Sequence, residues 1–215
     1  VRFTNGYAAA PVCSPTRAAL MTGRHPARLG TTDWFCGNRT GALLPAEYEC
    51  ALPLEERTIA EHLGDAGYRT FFAGKWHLGP EGFWPEDQGF EINEGGWTRG
   101  GPYGGGKYFS PYGNPRLDDG PKGEHLPDRL ARETAAFIRE HRDEPFLAVL
   151  SFYSVHTPLM GPEPLVRKYR ARKADLEHGP IWGRERGRKV RLVQEHAVYA
   201  AMVESMDSAV GVVLD

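Results

Sequence analysis

The run Phe146-Leu147-Ala148-Val149-Leu150-Ser151-Phe152 constrains this chain most. It is of strand length and shows no alternation of apolar and polar positions, so neither face of the strand it forms suits water. A strand buried on both faces belongs in a parallel sheet covered by helices, and the neighbouring segments supply them. Leu126 to Arg142 is amphipathic, with Leu130, Phe137 and Ile138 on one side. Leu192, Tyr199, Met202, Met206, Val210 and Val213 recur at spacings of three, four or seven, which predicts a long packed helix. A further helix runs from Thr58, with Glu61 closing a capping box, to Gly67, and the β-prone run Tyr68 to Ala73 follows it. Helix, strand, loop, helix and buried strand in succession predict an α/β fold with a largely parallel sheet. Ligands of such sheets gather outside the carboxyl ends of the strands. The two predicted strands end there in Gly74-Lys75-Trp76-His77-Leu78-Gly79 and in Tyr153-Ser154-Val155-His156-Thr157-Pro158.

Composition narrows the class. With 215 residues, 40% of them hydrophobic, the chain has material for an ordinary core and is neither a disordered tail nor a stapled mini-protein. A net charge of −2 gives no global attraction to nucleic acid, and no apolar run approaches the roughly 18 residues of a transmembrane span. Glycine (26) and proline (17) exceed their usual share and concentrate between Pro80 and Pro127, where no period of 2 or 3.6 persists. Residues 80–127 are therefore expected to be a long Gly/Pro/aromatic loop insertion of functional or covering character. The chain opens at Val1 without an initiator Met or a signal-peptide pattern and closes at Asp215 within a helical stretch, which predicts an internal piece of a longer protein.

The cysteines are Cys13, Cys36 and Cys50. An odd count excludes full pairing; a Cys36–Cys50 bridge and two free thiols both stand open. Cys13 precedes a predicted helix in which Ser14 caps, Pro15 takes the first position and Gly23 stops. A helix N-terminus with free N–H groups and a positive dipole suits an anion.

Cys13-Ser14-Pro15-Thr16-Arg17 is a C-x-P-x-R pentapeptide, and Gly74 to Gly79 is a second compact signature. With Thr22-Gly23-Arg24, the Ser154 to Pro158 segment and the stretch from Tyr199 to Asp207, in that order, the whole chain resembles the type I sulfatases, an alkaline-phosphatase-like family. The resemblance implies a mixed, mostly parallel sheet flanked by helices. It also implies that residues 1–215 are the central part of a single catalytic domain whose N-terminal strand and C-terminal portion lie elsewhere. In this family a formylglycine-generating enzyme converts the motif cysteine to formylglycine, whose hydrated aldehyde attacks sulfur and forms a covalent sulfate intermediate. Carried over, Cys13 is the nucleophile precursor, and Arg17 holds the hydrated aldehyde and its metal-bound oxygens. Lys75 binds the sulfate, His77 hydrogen-bonds the diol and helps expel sulfate, and His156 assists the leaving alcohol. The family also uses one divalent metal, of the Ca2+ type, held by an acidic pair and an Asp-Asn pair. Cys13 as formylglycine is the one such ligand found in this sequence; Asp118-Asp119 sits in the long loop and is rejected. These 215 residues by themselves are expected to be inactive.

The chemistry of the residues agrees. A sulfate ester carries dispersed negative charge, so its transition state calls for fixed cations and oriented donors. Arg17 and Lys75 are such cations, and the histidines suit proton transfer near neutral pH. The bland readings are a buried Cys13, a solvated loop at Lys75 and His77, and a satisfied core histidine at His156. His25, His62, His125, His141, His178 and His196 are assigned to structural or surface roles.

The substrate reading is a sulfated carbohydrate or small sulfate ester, with no nucleic acid and no membrane span, in a periplasmic or secreted setting. Gly95 to Gly106 lacks the spacing of a phosphate cradle. Its aromatics Trp97 and Tyr103, with Tyr108 and Tyr112, are candidates for a sugar subsite or for loop anchors. Between Arg167 and Arg191, ten Lys/Arg face Asp175, Glu177 and Glu185, a solvated face or a rim that steers a polyanion. The rival functions are a phosphonate or phosphate ester hydrolase of the same superfamily, and a non-catalytic sulfated-glycan binding protein on the same scaffold.

Overall fold

Phe71 and Phe72 are adjacent in sequence and belong to different cores, because successive side chains of a strand leave opposite faces of its sheet. They lie in β1 (Arg69–Gly74), which is buried from Thr70 onward. In the computed structural model, which describes residues 2–37, 41–44, 47 and 49–215, β1 is the middle strand of three. It pairs in parallel with β2 (Ile92–Glu94) through Phe71 opposite Ile92, and with β3 (Phe146–Ser151) from Arg69 opposite Phe146 to Gly74 opposite Ser151.

On one face Phe72 meets Trp76 and Phe90 edge-on at 5.1 and 5.2 Å, over Ala18 and Met21 of α1 (Cys13–Thr22) and Ala60 of α2 (Ile59–Asp65). On the other, Phe71 stacks at 4.7 Å on Phe137 of α3 (Leu126–Glu140), beside Leu130. Each such ring pair adds about 0.5–1.5 kcal/mol beyond the area it buries. α4 (Glu163–Ala174) and α5 (Ala197–Leu214) follow β3, with Met202 fully buried in the second core. The antiparallel hairpin β4 (Trp182–Glu185) and β5 (Arg188–Arg191) lies between them in sequence. The expected α/β fold with parallel strands between helices is present.

Several local expectations change. β3 is half-buried along its whole length rather than covered on both faces, because it has a strand neighbour on one side only among the described residues. Segment 80–127 is more than a loop: it contributes β2 to the sheet and buries Tyr108 and Tyr112, which are core anchors and not sugar platforms. Its glycines permit backbone contact, since a Cβ on Gly104 would lie 2.1 Å from the Tyr112 carbonyl oxygen. Leu192 lies outside α5, exposed against the hairpin at Gly183. α5 itself, 18 residues with a mean hydropathy of 1.4, is long and apolar enough to cross a membrane by length and composition, although its sequence carries Glu204 and Asp207; it packs here on α3 and α4. The Thr58 capping box forms as read, with the Thr58 hydroxyl accepting from the Glu61 amide at 3.2 Å and the Glu61 carboxylate from the Thr58 amide at 2.7 Å.

Candidate active site

α1 begins two residues earlier than its sequence suggests. Val12 is the N-cap and offers no side-chain cap, Cys13 is the first helical residue, and Gly23 ends the helix in the left-handed region. Ser14 is thereby freed from capping and buried. Its hydroxyl donates to the His77 carbonyl at 3.0 Å, lies 3.5 Å from His77 Nδ1, and accepts from the Phe35 amide at 3.2 Å. Arg17 stands four residues after Cys13, on the same side of the helix one turn on.

The other half of the cluster is made by strand register. At the end of the sheet Gly74 faces Ser151, and the Lys75 amide donates to the Ser151 carbonyl at 2.7 Å. Only glycine fits there: with φ of 101°, a Cβ on Gly74 would sit 2.1 Å from the Ser151 carbonyl oxygen. The Arg17 guanidinium crosses to this point and donates to the Lys75 carbonyl at 2.7 Å and to Ser151 Oγ at 2.6 Å. Ser151 Oγ in turn donates to the Lys75 carbonyl at 2.9 Å. Helix α1 and the ends of two strands are thus clamped by one half-buried guanidinium.

Electrostatics follow from that burial. Arg17 is held below its usual range by desolvation, opposed by the charge it would feel from Cys13. Lys75, 4% exposed, is pulled down to about 8, chiefly by burial and then by Arg17. His77 is pushed down to about 4 by burial, and next by Lys75, Arg17 and His156, so its imidazole is neutral at neutral pH. Its backbone is left-handed at φ 59°, a strained choice for a non-glycine residue.

His156 Nδ1 lies 2.7 Å from the Thr157 carbonyl, which requires the proton on that nitrogen in the neutral ring and leaves Nε2 as the exchanging atom. Tyr103 approaches the same ring edge-on at 5.7 Å, its hydroxyl 3.4 Å from Nδ1. The structure therefore brings Cys13, Arg17, Lys75 and His77 together, with His156 and Tyr103 beside them. Trp97 is half-buried and packs on both cores, so it works first as a wedge between them, with Arg99 over its ring at 5.6 Å.

Four residues of the site are not assigned to it by the sequence. Ser151 was visible only as the lone hydroxyl in an apolar strand, and Ser14 only as a cap. Gly100 and Gly101 were part of an unassigned glycine run. A Cβ on Gly100 would meet His77 Cε1 at 2.5 Å, and one on Gly101 would meet His156 Nδ1 at 2.9 Å, so this pair lets the chain lie directly on both histidines. The remaining histidines with described contacts serve structure. His25 and His196 accept from helix-start amides, His141 meets Glu144 at 2.6 Å, and buried His125 lies 3.1 Å from Ser205 Oγ.

A cavity of about 550 Å³ opens on Cys13, Thr16, Arg17 and Ser151. Among the described residues no three or more His, Cys, Asp or Glu side chains converge as a metal site, and the charges grouped with Cys13 are the cations Arg17 and Lys75. This donor set fits an anion and does not fit a divalent cation. Asp119 serves its own loop by accepting from the Tyr112 amide. Cys36 and Cys50 are joined in a disulfide, which closes the question left open by the sequence.

Comparison with known proteins places this geometry. The family model described as Sulfatase matches residues 1–215. Human arylsulfatase A is 50% identical over 93 residues, covering 42% of this chain and 17% of that protein. The sulfatase YdeN of Escherichia coli K12 is 30% identical over 190 residues, covering 76% of this chain and 31% of the other. The solved structure of Ps i-CgsB in complex with k-i-k-neocarrahexaose superposes with a TM-score of 0.68 at 24% identity, over 97% of this chain and 45% of that one. The chain spans less than half the length of these relatives, and along its own length it is a member of the sulfatase family.

Proposed function

We propose that this chain carries the reaction centre of an enzyme that hydrolyses sulfate esters, on a sulfated carbohydrate, through a formylglycine derived from Cys13 and a covalent sulfate intermediate. The observation that carries the reading is the pair of cations, buried Lys75 and half-buried Arg17, beside a cysteine at a helix N-terminus. Converted to formylglycine by its generating enzyme, Cys13 supplies a hydrated aldehyde as nucleophile. Lys75, buried, and Arg17, half-buried, supply fixed positive charge to the sulfate oxygens, and their partial removal from water strengthens it. His77, neutral at neutral pH, hydrogen-bonds the diol and accepts the proton of its remaining hydroxyl as the bond to sulfate breaks, so that sulfate leaves and the aldehyde re-forms to be hydrated again. His156, tied through Nδ1 to Thr157, exchanges a proton with the ester oxygen through Nε2.

The Ca2+ expected from the resemblance finds no fitting donor set among the described residues, and no step here runs through it. The Cys36–Cys50 disulfide favours a periplasmic or secreted setting. Ps i-CgsB, which shares the fold, has been solved in complex with k-i-k-neocarrahexaose, and this supports a carbohydrate substrate. Tyr103, exposed beside His156, is the candidate sugar contact.

The test uses the full-length protein made in a host with formylglycine-generating activity. The tryptic peptide Phe3 to Arg17 is expected to be lighter by the change from thiol to aldehyde and to be trapped by an aldehyde-reactive amine. An unmodified thiol beside a converted control sulfatase would sink the reading in favour of a glycan-binding protein. Faster turnover of a phosphate or phosphonate ester than of the matched sulfate ester would move it to the phosphoryl branch of the superfamily.

A further inference from the structure

A second cleft, of about 600 Å³, meets the cluster through His77 and has a composition opposite to the sulfate end. Its walls are apolar: Phe35, Pro53, Leu54, Pro80 and Phe83, with the Cys36–Cys50 disulfide. Among the described residues its lining carries no Lys or Arg, and its charged side chains are the carboxylates of Glu49 and Glu55. The volume and the apolar lining with a few polar groups are those of a small-molecule site.

The cleft is also built to stay in place. One wall is tied to α1 by the Phe35 amide on Ser14 Oγ at 3.2 Å, and to the Lys75–His77 motif by the Leu52 amide on the Leu78 carbonyl at 2.8 Å. The disulfide closes that wall on itself, holding Cys36 at a left-handed φ of 54°. The opposite wall comes close because residue 79 is glycine; a Cβ there would meet Phe83 at 2.6 Å and Ala51 at 3.0 Å.

Resting on the sulfatase reading, we propose that this cleft receives the alcohol part of the ester, and that this part is a neutral ring with an apolar face. The ester is then recognised by its asymmetry. Its single anionic end lies against Arg17 and Lys75, and its uncharged body lies against apolar walls, where Glu49 and Glu55 accept hydroxyl hydrogen bonds and repel a second sulfate. A saccharide ring and an aromatic ring share this chemistry.

The test measures kcat/KM of the full-length, formylglycine-bearing protein on a methyl hexoside with one sulfate, the same hexoside with two, and 4-methylumbelliferyl sulfate. The single-sulfate hexoside is expected to be preferred over the double by at least tenfold. Glu55→Lys is expected to cut that preference at least fivefold and Glu49→Gln to cut it by less; both positions are exposed, so the core is untouched. Faster turnover of 4-methylumbelliferyl sulfate than of the single-sulfate hexoside assigns the cleft to an aromatic ring, and the reverse order to a sugar; either supports a neutral body. Equal or better turnover of the disulfated hexoside, or a preference unmoved by Glu55→Lys while hydrolysis persists, overturns the cleft assignment alone. Absence of turnover on every sulfate ester overturns the sulfatase reading and the cleft with it.

Discussion

Two regions of this molecule are rich in cations, and they use them in opposite ways. At the strand ends Lys75 is buried and Arg17 half-buried, the Arg17 guanidinium is bonded to the Lys75 carbonyl and to Ser151 Oγ, and both cations are shifted below their ordinary pKa ranges by burial. In the β4–β5 hairpin the cations stay at the surface. Lys189 and Arg191 lie over the exposed ring of Trp182 at 4.2 and 4.4 Å, and Arg191 shares buried Glu195 with Lys173 of α4. The sequence count of basic residues favours the hairpin, yet the structure concentrates usable charge at the strand ends. A cation acts on a bound anion when its solvent has been replaced by fixed partners, and number does not substitute for that.

The comparison is most exposed to failure at Arg17. In the full-length, processed protein Arg17→Ala is expected to lower kcat/KM on a small sulfate ester by on the order of 10²–10³. Arg17→Lys should recover only part of the rate: both bonds leave the single nitrogen Nη1, which an ammonium can imitate, but the second arm of the planar guanidinium is lost. A loss no larger than that of a hairpin variant would break the contrast outright.

Ser151→Ala comes next, at roughly tenfold in kcat with a stability loss of about 1 kcal/mol, since the guanidinium keeps its carbonyl partner but loses its hydroxyl partner. Ser151→Thr, which retains the hydroxyl, should restore most of the rate; equal loss in both variants would make Ser151 a packing residue only.

A pH series sharpens the buried half of the contrast. His77 and His125 are both held down to about 4, each first by burial, so between about 6.5 and 4 the unfolded chain binds protons that the folded chain refuses. Stability should therefore fall as pH drops through that window. Urea unfolding at several pH values checks the slope, and His125→Phe should reduce it by His125's share.

In the surface region the effects shrink. Glu195→Gln is expected to cost about 1 kcal/mol, since its partners Lys173 and Arg191 remain partly exposed, and to leave hydrolysis of a small ester unchanged. The double change Arg188→Ser and Lys189→Ser should alter stability by no more than about 0.5 kcal/mol. A fall in its turnover confined to a sulfated polymer, and lost with added salt, would turn the hairpin from a solvated face into a steering rim.

Much of the fold and of the site was legible before any coordinates. The Thr58–Glu61 box and the two strands that precede Lys75 and His156, ending at Gly74 and Ser151, are written in consecutive residues, and local signals of that kind survive folding. The exceptions have a common origin. Ser14 reads as a cap until α1 starts two residues earlier, and Leu192 fits a helical period until the hairpin takes it. β2 is too short to show a period, and it is a strand because β1 offers it a partner. In each case a neighbour distant in sequence decided between two locally acceptable conformations.

The sequence by itself determined the chemical types present: a cysteine at a helix start, a guanidinium one turn on, and an ammonium and two histidines just beyond apolar strands. Those are properties of neighbouring residues, set by side-chain chemistry and by the periods of helix and strand. Only the tertiary structure decided that Arg17 reaches Lys75, 58 positions away, and Ser151, 134 away, and that one cleft beside His77 is apolar and acidic while the cluster itself is cationic. The physical reason is register. Pairing Gly74 with Ser151 aligns the ends of two strands, and the burial that follows changes the charge behaviour of every group gathered there.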